Sequence, residues 1–230
     1  MLIDLHAHTK RISKCCKADI ETVINESLCK GINGVVLTNH FQKSYFSNAS
    51  EEEFVKAYIQ EYYDMKSIAE KRDFSCFFGI EVTMEKYPKV HMLIYGVEPS
   101  FLEFNKGIYD LTQSELFALV KKNDGILIQA HPFRNGTTVL DPEFLDGVEV
   151  NCHPLYKKSY CTELIDFAAQ KSLCVTCGGD FHADTYRPKC GMYIPNNITT
   201  VHDLSKYIKN KKDIMLCVHE PHGEPEDILL

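Results

Sequence analysis

Short apolar runs of strand length recur along this chain, and most of them stop at a histidine or an acid. The first, Leu2 to His8, carries His6 and His8 two positions apart, and a strand turns residues i and i+2 to the same face. Gly34 to Thr38 leads into His40, Cys76 to Val82 contains Glu81, and Gly125 to Ala130 leads into His131. Leu173 to Thr176 is followed by Asp180 and His182, again two positions apart. Gly147 to Val150 is a further run, and Val90 to Val97 has its histidine, His91, near its beginning. Helix signals lie between the runs. Asp19 caps a segment with Ile20, Val23, Ile24 and Leu28 inward and Gly31 as its stop. Ser50 with Glu53, and Thr112 with Glu115, form capping boxes, and another helix spans Ser159 to Gln170.

Strands alternating with helices are the pattern of parallel βα units. Seven runs in 230 residues predict an α/β fold that closes, or nearly closes, into a barrel. In a βα barrel the carboxyl ends of the strands share one face, where active sites lie. That places His6, His8, His40, Glu81, His131, Asp180 and His182 on one rim. His91 joins them if its strand runs antiparallel from Glu81 through the Tyr87-Pro88 turn. Imidazole and carboxylate donors with no required thiolate suit Zn, Mn or Fe.

Composition narrows the class. A net charge of −7 argues against a nucleic-acid face. No apolar run approaches the roughly 20 residues needed to cross a membrane, and Asp4 and His6 interrupt the N-terminal run at once, so no leader is read there. The cytoplasm is the expected compartment. Ten cysteines scattered through such a chain read as reduced thiols, with Cys174 and Cys177 in the core. The polar tail from about residue 219 is expected to wrap the surface or fray. His153, His202, His219, His222 and Asn151 are read as loop or tail residues.

With the motifs LHAHT, TNH, GIEVTMEKYPKVHMLIYG, AHPFR and GGDFHA in that order, the sequence resembles the PHP (polymerase and histidinol phosphatase) superfamily of metal-dependent phosphoesterases, from Leu2 to about Ala183. The resemblance implies one domain over residues 1–230, built as a distorted seven-stranded (β/α)7 TIM-like barrel, with two or three divalent metal ions at the strand ends. By this likeness His6, His8, Glu81 and Asp180 hold one metal, and Glu81 bridges to a second held by His91 and His131. His40 and His182 hold a third. The chain departs from the family in HTKRISKCCKAD, where an Asp or His commonly follows HxH, and in TNH, where TDH is common. The third site is therefore short of one donor. Cys15 or Cys16 is the available substitute and would favour zinc, whereas a protonated Lys14 would disfavour a cation.

The implied activity is hydrolysis of a small phosphate ester by a metal-activated water. Asp180 would orient the water or accept its proton, and His182 or His40, if not metal-bound, would protonate the leaving group. Arg134 and Arg187 are the candidate phosphate-binding arginines. Thr9 and Asn39 would support the ligands. The stretches 41–53 and 133–141 would wall the pocket. Three other readings compete: a degenerate, non-catalytic metal-binding module; a zinc amidohydrolase, which also opens on HxH; and a DNA-processing exonuclease. The substrate and the oligomeric state are not encoded in any motif.

Overall fold

The computed structural model describes residues 1–46, 50–183, 187–210, 213–219 and 223–230. The fold is mixed α/β, with two six-stranded sheets and six α-helices among the described residues. In chain order the elements are β1 (Leu2–Ala7), α1 (Ile20–Cys29), β2 (Gly34–Leu37), β3 (His40–Phe41), α2 (Glu51–Glu70), β4 (Ser75–Phe78), β5 (Ile80–Thr83) and β6 (His91–Tyr95). There follow α3 (Ser100–Phe104), α4 (Gln113–Lys122), β7 (Ile126–Gln129), β8 (Gly147–Asn151), α5 (Lys158–Lys171), β9 (Cys174–Gly178), β10 (Gly191–Tyr193), α6 (Val201–Asn210), β11 (Met215–Val218) and β12 (Glu226–Leu229). Among the described residues no helix is long and apolar enough to cross a membrane.

The helix starts expected from the sequence carry their caps. Asp19 accepts from the Thr22 N–H, and both capping boxes, Ser50/Glu53 and Thr112/Glu115, are reciprocal. The sheets run β12-β11-β10-β1-β2-β4 and β3-β5-β6-β7-β8-β9. Two chain segments belong to both. β2 continues into β3, and β4 into β5, with breaks at residues 38–39 and at Gly79. Tyr58, buried on α2, closes both breaks, because its hydroxyl reaches the carbonyls of Asn39 (2.7 Å) and Gly79 (3.0 Å). Carbonyls that leave a ladder need such a partner. Tyr95 on β6 reaches across the interior to the Leu5 carbonyl on β1, at 2.8 Å. An isolated parallel bridge joins Ala7 to Phe181. β6 is antiparallel to β5 and β7, and Thr83 faces His91, so His91 returns to the same end as the carboxyl termini of its neighbours.

Four features differ from the sequence reading. β10 to β12 and α6 lie beyond the stretch in which strands and helices were expected. The tail, expected to wrap the surface or fray, forms at 226–229 a regular and mostly exposed strand, β12, paired antiparallel with β11. Asn151 is no loop residue; it ends β8 and is buried. Arg187, expected on phosphate, is fully buried instead. Its Nη1 lies 2.7 Å from Asp4, Nη2 donates to the Ser27 hydroxyl at 2.9 Å, and the guanidinium stacks on Phe181. The other Asp4 oxygen accepts the N–H groups of His6 and Gly179. Residues 47–49, within the expected pocket-wall stretch 41–53, and His222 lie outside the described residues.

The Asp4–Arg187 pair thus clamps β1 to the segment carrying Asp180 and His182. Removing one partner of a buried pair leaves the other uncompensated and costs about 3–5 kcal/mol. Arg187→Leu should lose about that much in urea unfolding of the metal-free protein. A loss under about 1 kcal/mol together with a raised KM for a phosphoester would return Arg187 to the phosphate role.

Candidate metal centre

Every strand end around one face contributes a side chain to a single basin. β1 supplies His6 and the residue after it is His8; β3 supplies His40, β5 Glu81, β6 His91, and the turn after β7 His131. Asp180 and His182 follow β9. The sequence expected these eight residues on one rim, and the structure brings all eight together.

Glu81 is the hub, with no exposed side-chain surface. One oxygen lies 3.4 Å from His6 Nε2, 2.8 Å from His91 Nδ1 and 3.1 Å from His131 Nε2. The other lies 3.4 Å from His8 Nε2 and 2.6 Å from His40 Nδ1. Asp180 Oδ1 sits 3.4 Å from His6 Nε2 and 3.1 Å from His8 Nε2. Three sets of donor atoms lie close enough to hold an ion: His6, His8, Glu81 and Asp180; His40, Glu81 and His91; and His8, His40 and His182. The first set coincides with the first metal's ligands implied by the family resemblance. His6 Nε2, His40 Nδ1 and Glu81 Oε2 are buried and find no hydrogen-bond partner among the described residues. Buried polar atoms seldom stay unpaired, and the His6 and His40 nitrogens, each in a donor set that includes Glu81, fit cation ligands.

The outer faces of the rings are fixed by Glu149 and Ser13, which the sequence reading did not select, together with Asn39 and Thr9, which it did. Glu149 Oε1 lies 2.8 Å from His6 Nδ1, and its other oxygen accepts the His131 N–H. A carboxylate there requires the proton on Nδ1 and turns the Nε2 lone pair into the basin. Ser13 does the same for His8. Its hydroxyl proton goes to Asn39 Oδ1 at 2.9 Å, so towards His8 Nδ1, at 3.1 Å, it acts as acceptor. It also accepts the His40 N–H. Thr9 and Asn39 complete this web through the Thr9 N–H and hydroxyl. His182 Nδ1 faces the Asp180 carbonyl at 2.8 Å. The clue to Glu149 was an acid in the middle of a fully buried strand.

Two of the eight residues pay in backbone strain. His131 and Asp180 have φ of 31° and 49°, a region that costs non-glycine residues of order 1–3 kcal/mol. Gly178 makes the close approach behind the site possible: a Cβ there would stand 2.4 Å from His6 Cβ and 2.6 Å from Glu149 Oε1.

The basin measures about 210 Å³. Cys15, Arg134, Asn135 and His153 line it beside His40, His91, His131, Asp180 and His182. His153 therefore stands at the site, contrary to the reading of it as a bland loop residue. Arg134 reaches the basin as expected, but its guanidinium is paired with Asp180 instead of projecting away from the ligands. His202 pairs with Glu98 near the surface, and His219 accepts from the Lys189 N–H. Larger hollows lie under Leu230 (about 310 Å³) and beside Met1 (about 550 Å³), but neither gathers histidines.

The field in the basin follows from its charges. Burial works against ionising Glu81, but the rings of His40, His6 and His91 hold its carboxyl well below the usual range. Burial likewise opposes a charged His40, and Glu81 overrides it, raising the ring to about 10. His6 is raised well above its ordinary value against burial by Glu149, Glu81 and Asp180. His8 is pushed well down by burial and by its neighbours His182 and His40. At Cys15 burial favours the thiol, yet hydrogen bonds from His182 and His40 bring it to about 6.

No protein-family model and no curated protein matches the sequence. Solved structures match by fold. One is a two-domain protein from Bacteroides vulgatus containing a predicted PHP-like metal-dependent phosphoesterase, with TM-score 0.68 and 16% identity over 95% of this chain. The chain spans only 65% of that protein. The lesion-specific endonuclease PfuEndoQ from Pyrococcus furiosus matches with TM-score 0.58 and 15% identity, over 94% of this chain and 57% of its own. An amidohydrolase from Chromobacterium violaceum, solved with sulfate and no metal, matches with TM-score 0.57 and 13% identity, over 90% and 96%. The chain has the fold these proteins share.

Two outcomes are expected. A cation needs bare nitrogens where the metal-free chain keeps protons on His6 and, up to about pH 10, on His40. Metal loading should therefore release protons, and affinity should climb with pH across the neutral range. Calorimetry of zinc binding in buffers of different ionisation heat reads this directly; no proton release would contradict it. Glu149→Gln should keep the fold and weaken metal affinity about 10- to 100-fold, as loss of a ring-orienting carboxylate does. Unchanged affinity in the same titration would remove Glu149 from the site.

Proposed function

We propose that this chain is a metal-dependent phosphoesterase that hydrolyses a small phosphate ester. The observation that carries the reading is one buried carboxylate, Glu81, in contact with five imidazoles, beside a basin entered by Arg134. Two or three divalent ions of Zn, Mn or Fe would be held by His6, His8, Glu81 and Asp180, by Glu81 with His91 and His131, and by His40 with His182. Bound there, they would supply Lewis acidity and lower the pKa of water.

The chain's own groups do the rest. Asp180, held by His8 through one oxygen, would orient the attacking water and take its proton on the other, the oxygen that Arg134 gives up when it turns to the phosphoryl group. Arg134 exchanges Asp180 for a phosphoryl group through its planar fork. His182 and His40 stand where a leaving alkoxide would need a proton, if they are not themselves holding a metal. The basin's modest volume supports a small substrate. The sulfate carried by the Chromobacterium amidohydrolase is an oxyanion of phosphate shape. Among the described residues no lysine lines the basin, which weighs against the amidohydrolase reading with its modified-lysine bridge.

The remaining expectations extend the proposal. With β2/β3 and β4/β5 counted as single broken strands and β10 to β12 set aside, seven strands remain that would close as a distorted barrel, a reading supported by the bridge between Ala7 of β1 and Phe181, three residues after β9. The chain acts as one domain in the cytoplasm on a small-molecule phosphate ester, without nucleic acid or membrane.

A panel of phosphomonoesters and phosphodiesters under defined Mn, Zn and Fe tests the reading. Chelator-sensitive turnover of a monoester is expected; no hydrolysis by fully loaded protein would overturn it. On the best substrate Arg134→Ala should cost about 2–4 kcal/mol in transition-state binding, roughly 30- to 1000-fold in kcat/KM. Metal affinity should hold or rise, because Asp180 loses a competing cation. Arg134→Lys should recover only part, as an ammonium lacks the second prong. Near-normal kcat/KM for Arg134→Ala would exclude it from the reaction.

A further inference from the structure

Two cysteines distant in sequence meet where β8 ends beside β9. Cys152 directly follows β8, Cys177 lies in β9, and both are buried. Their Sγ atoms stand 3.6 Å apart. At that distance the sulfurs touch without being bonded, since a disulfide holds them at about 2.05 Å. Cys174 and Cys177 have the spacing of a redox motif, but three positions apart on one strand they face opposite sides. The thiol that the fold sets against Cys177 is Cys152.

The pair is asymmetric. The Cys177 thiol stands between two acceptors, Cys152 Sγ and the Cys217 carbonyl at 3.3 Å. Cys152 Sγ also accepts the His219 N–H at 3.4 Å. Hydrogen bonds from Cys177 and Cys190, joined by the His219 N–H, hold the Cys152 thiol well below its ordinary value against burial. The contact with Cys152, together with burial, pushes Cys177 well up. Cys152 is thus the sulfur that ionises, and the thiolate is the nucleophilic form. Cys177 keeps its proton beside it.

Both cysteines adjoin the carboxylate that orients the metal ligands. Asn151, the residue before Cys152, donates from Nδ2 to Glu149 Oε2 at 3.1 Å. Gly178, the residue after Cys177, accepts the Cys152 N–H at 2.8 Å and is packed against His6 and Glu149 too closely to admit even a Cβ. Glu149 in turn holds the His6 ring and the His131 N–H. Shortening the sulfur separation from 3.6 Å to about 2.05 Å therefore moves atoms that bear on the ligand set.

We propose that Cys152 and Cys177 are an oxidation site, at which hydrogen peroxide forms a disulfide that displaces Glu149 and weakens metal binding. The effect on metal rests on the metallophosphoesterase reading; the bridge itself does not. The Cys152 thiolate attacks one peroxide oxygen and becomes a sulfenic acid. The O–O bond breaks, and the second oxygen leaves as water with the proton the thiol gave up. Cys177 sulfur then attacks the sulfenic sulfur, and its proton departs with the hydroxyl as a second water. The peroxide gains two electrons and the two thiols lose two. An oxidant of nearly water's size suits a pair this buried, and Cys152 precedes His153, which lines the basin.

The test uses the full chain, stripped of metal with chelator, treated with hydrogen peroxide, alkylated and digested with trypsin. Mass spectrometry should find the Cys152 peptide joined to the Cys177 peptide, with fragment ions placing the bond on Cys177 and not on Cys174 of the same peptide. Calorimetry should show zinc affinity lowered about 10- to 100-fold in the oxidised chain, as when support of a metal-bound ring is lost. The affinity should return after reduction and removal of the reductant. Cys177→Ala should bind zinc like the wild type and keep that affinity after peroxide. No Cys152–Cys177 bridge, a bridge from Cys152 to Cys190 in its place, unchanged zinc affinity in the bridged chain, or an equal loss in Cys177→Ala would overturn the inference and leave the metallophosphoesterase reading standing. A reduced wild type that binds no zinc would overturn that reading and, with it, the effect on metal.

Discussion

The site is organised by one buried acid. Glu81 has no exposed surface, and a carboxylate taken out of water costs several kcal/mol unless positive charge or donors meet it. Here five imidazoles do so, from β1, β3, β6 and the turn after β7. None of these elements is adjacent to all the others in sequence. Bringing them to one carboxylate is therefore a demand on the whole topology. Among the rings around it, Glu81 helps to keep protons on His40 and, together with Glu149, on His6.

The irregularities of the fold follow from that demand. Two segments break in mid-course so that His40 and Glu81 turn into the basin, and Tyr58 takes up the carbonyls freed at both breaks. β6 runs against its neighbours, which returns His91 to the rim. His131 and Asp180 adopt left-handed backbone, and each is held there by its surroundings: the His131 N–H by Glu149, the Asp180 side chain by His8 and Arg134. Asp4 and Arg187 fasten the Asp180–His182 segment to β1 from behind. Strain of this kind persists where neighbouring contacts over-determine it, and it gathers at functional sites.

Much of this was legible in the sequence. The eight donors could be read because each sits at the end of an apolar run, and strand ends converge in βα architectures. His91 was legible because the short turn after Glu81 forces a reversal. The capping boxes were local and therefore plain. What escaped were residues whose role depends on partners distant in sequence. Glu149 looks like any acid in a strand until β8 is placed beside β9 and β1. Ser13 acquires its meaning from Asn39 and His8 together. Arg187 lies five residues after His182, which suggested the basin; the chain instead turns it inward to Asp4, and spacing alone does not encode that direction. α6 and the β10–β12 extension carry no ligand, so a reading led by histidines passed over them.

The proposed function requires these side chains to form one polynuclear cation site bridged by Glu81. Anomalous diffraction at the zinc edge, from crystals of the zinc-loaded chain, tests it most directly. It predicts at least two peaks about 4 Å apart on opposite oxygens of Glu81, with His and carboxylate donors at about 2.0–2.2 Å. One peak should be bounded by His6, His8 and Asp180, the other by His91 and His131. A fully loaded crystal with zinc bound elsewhere, or with Glu81 outside the coordination of every ion, would contradict it.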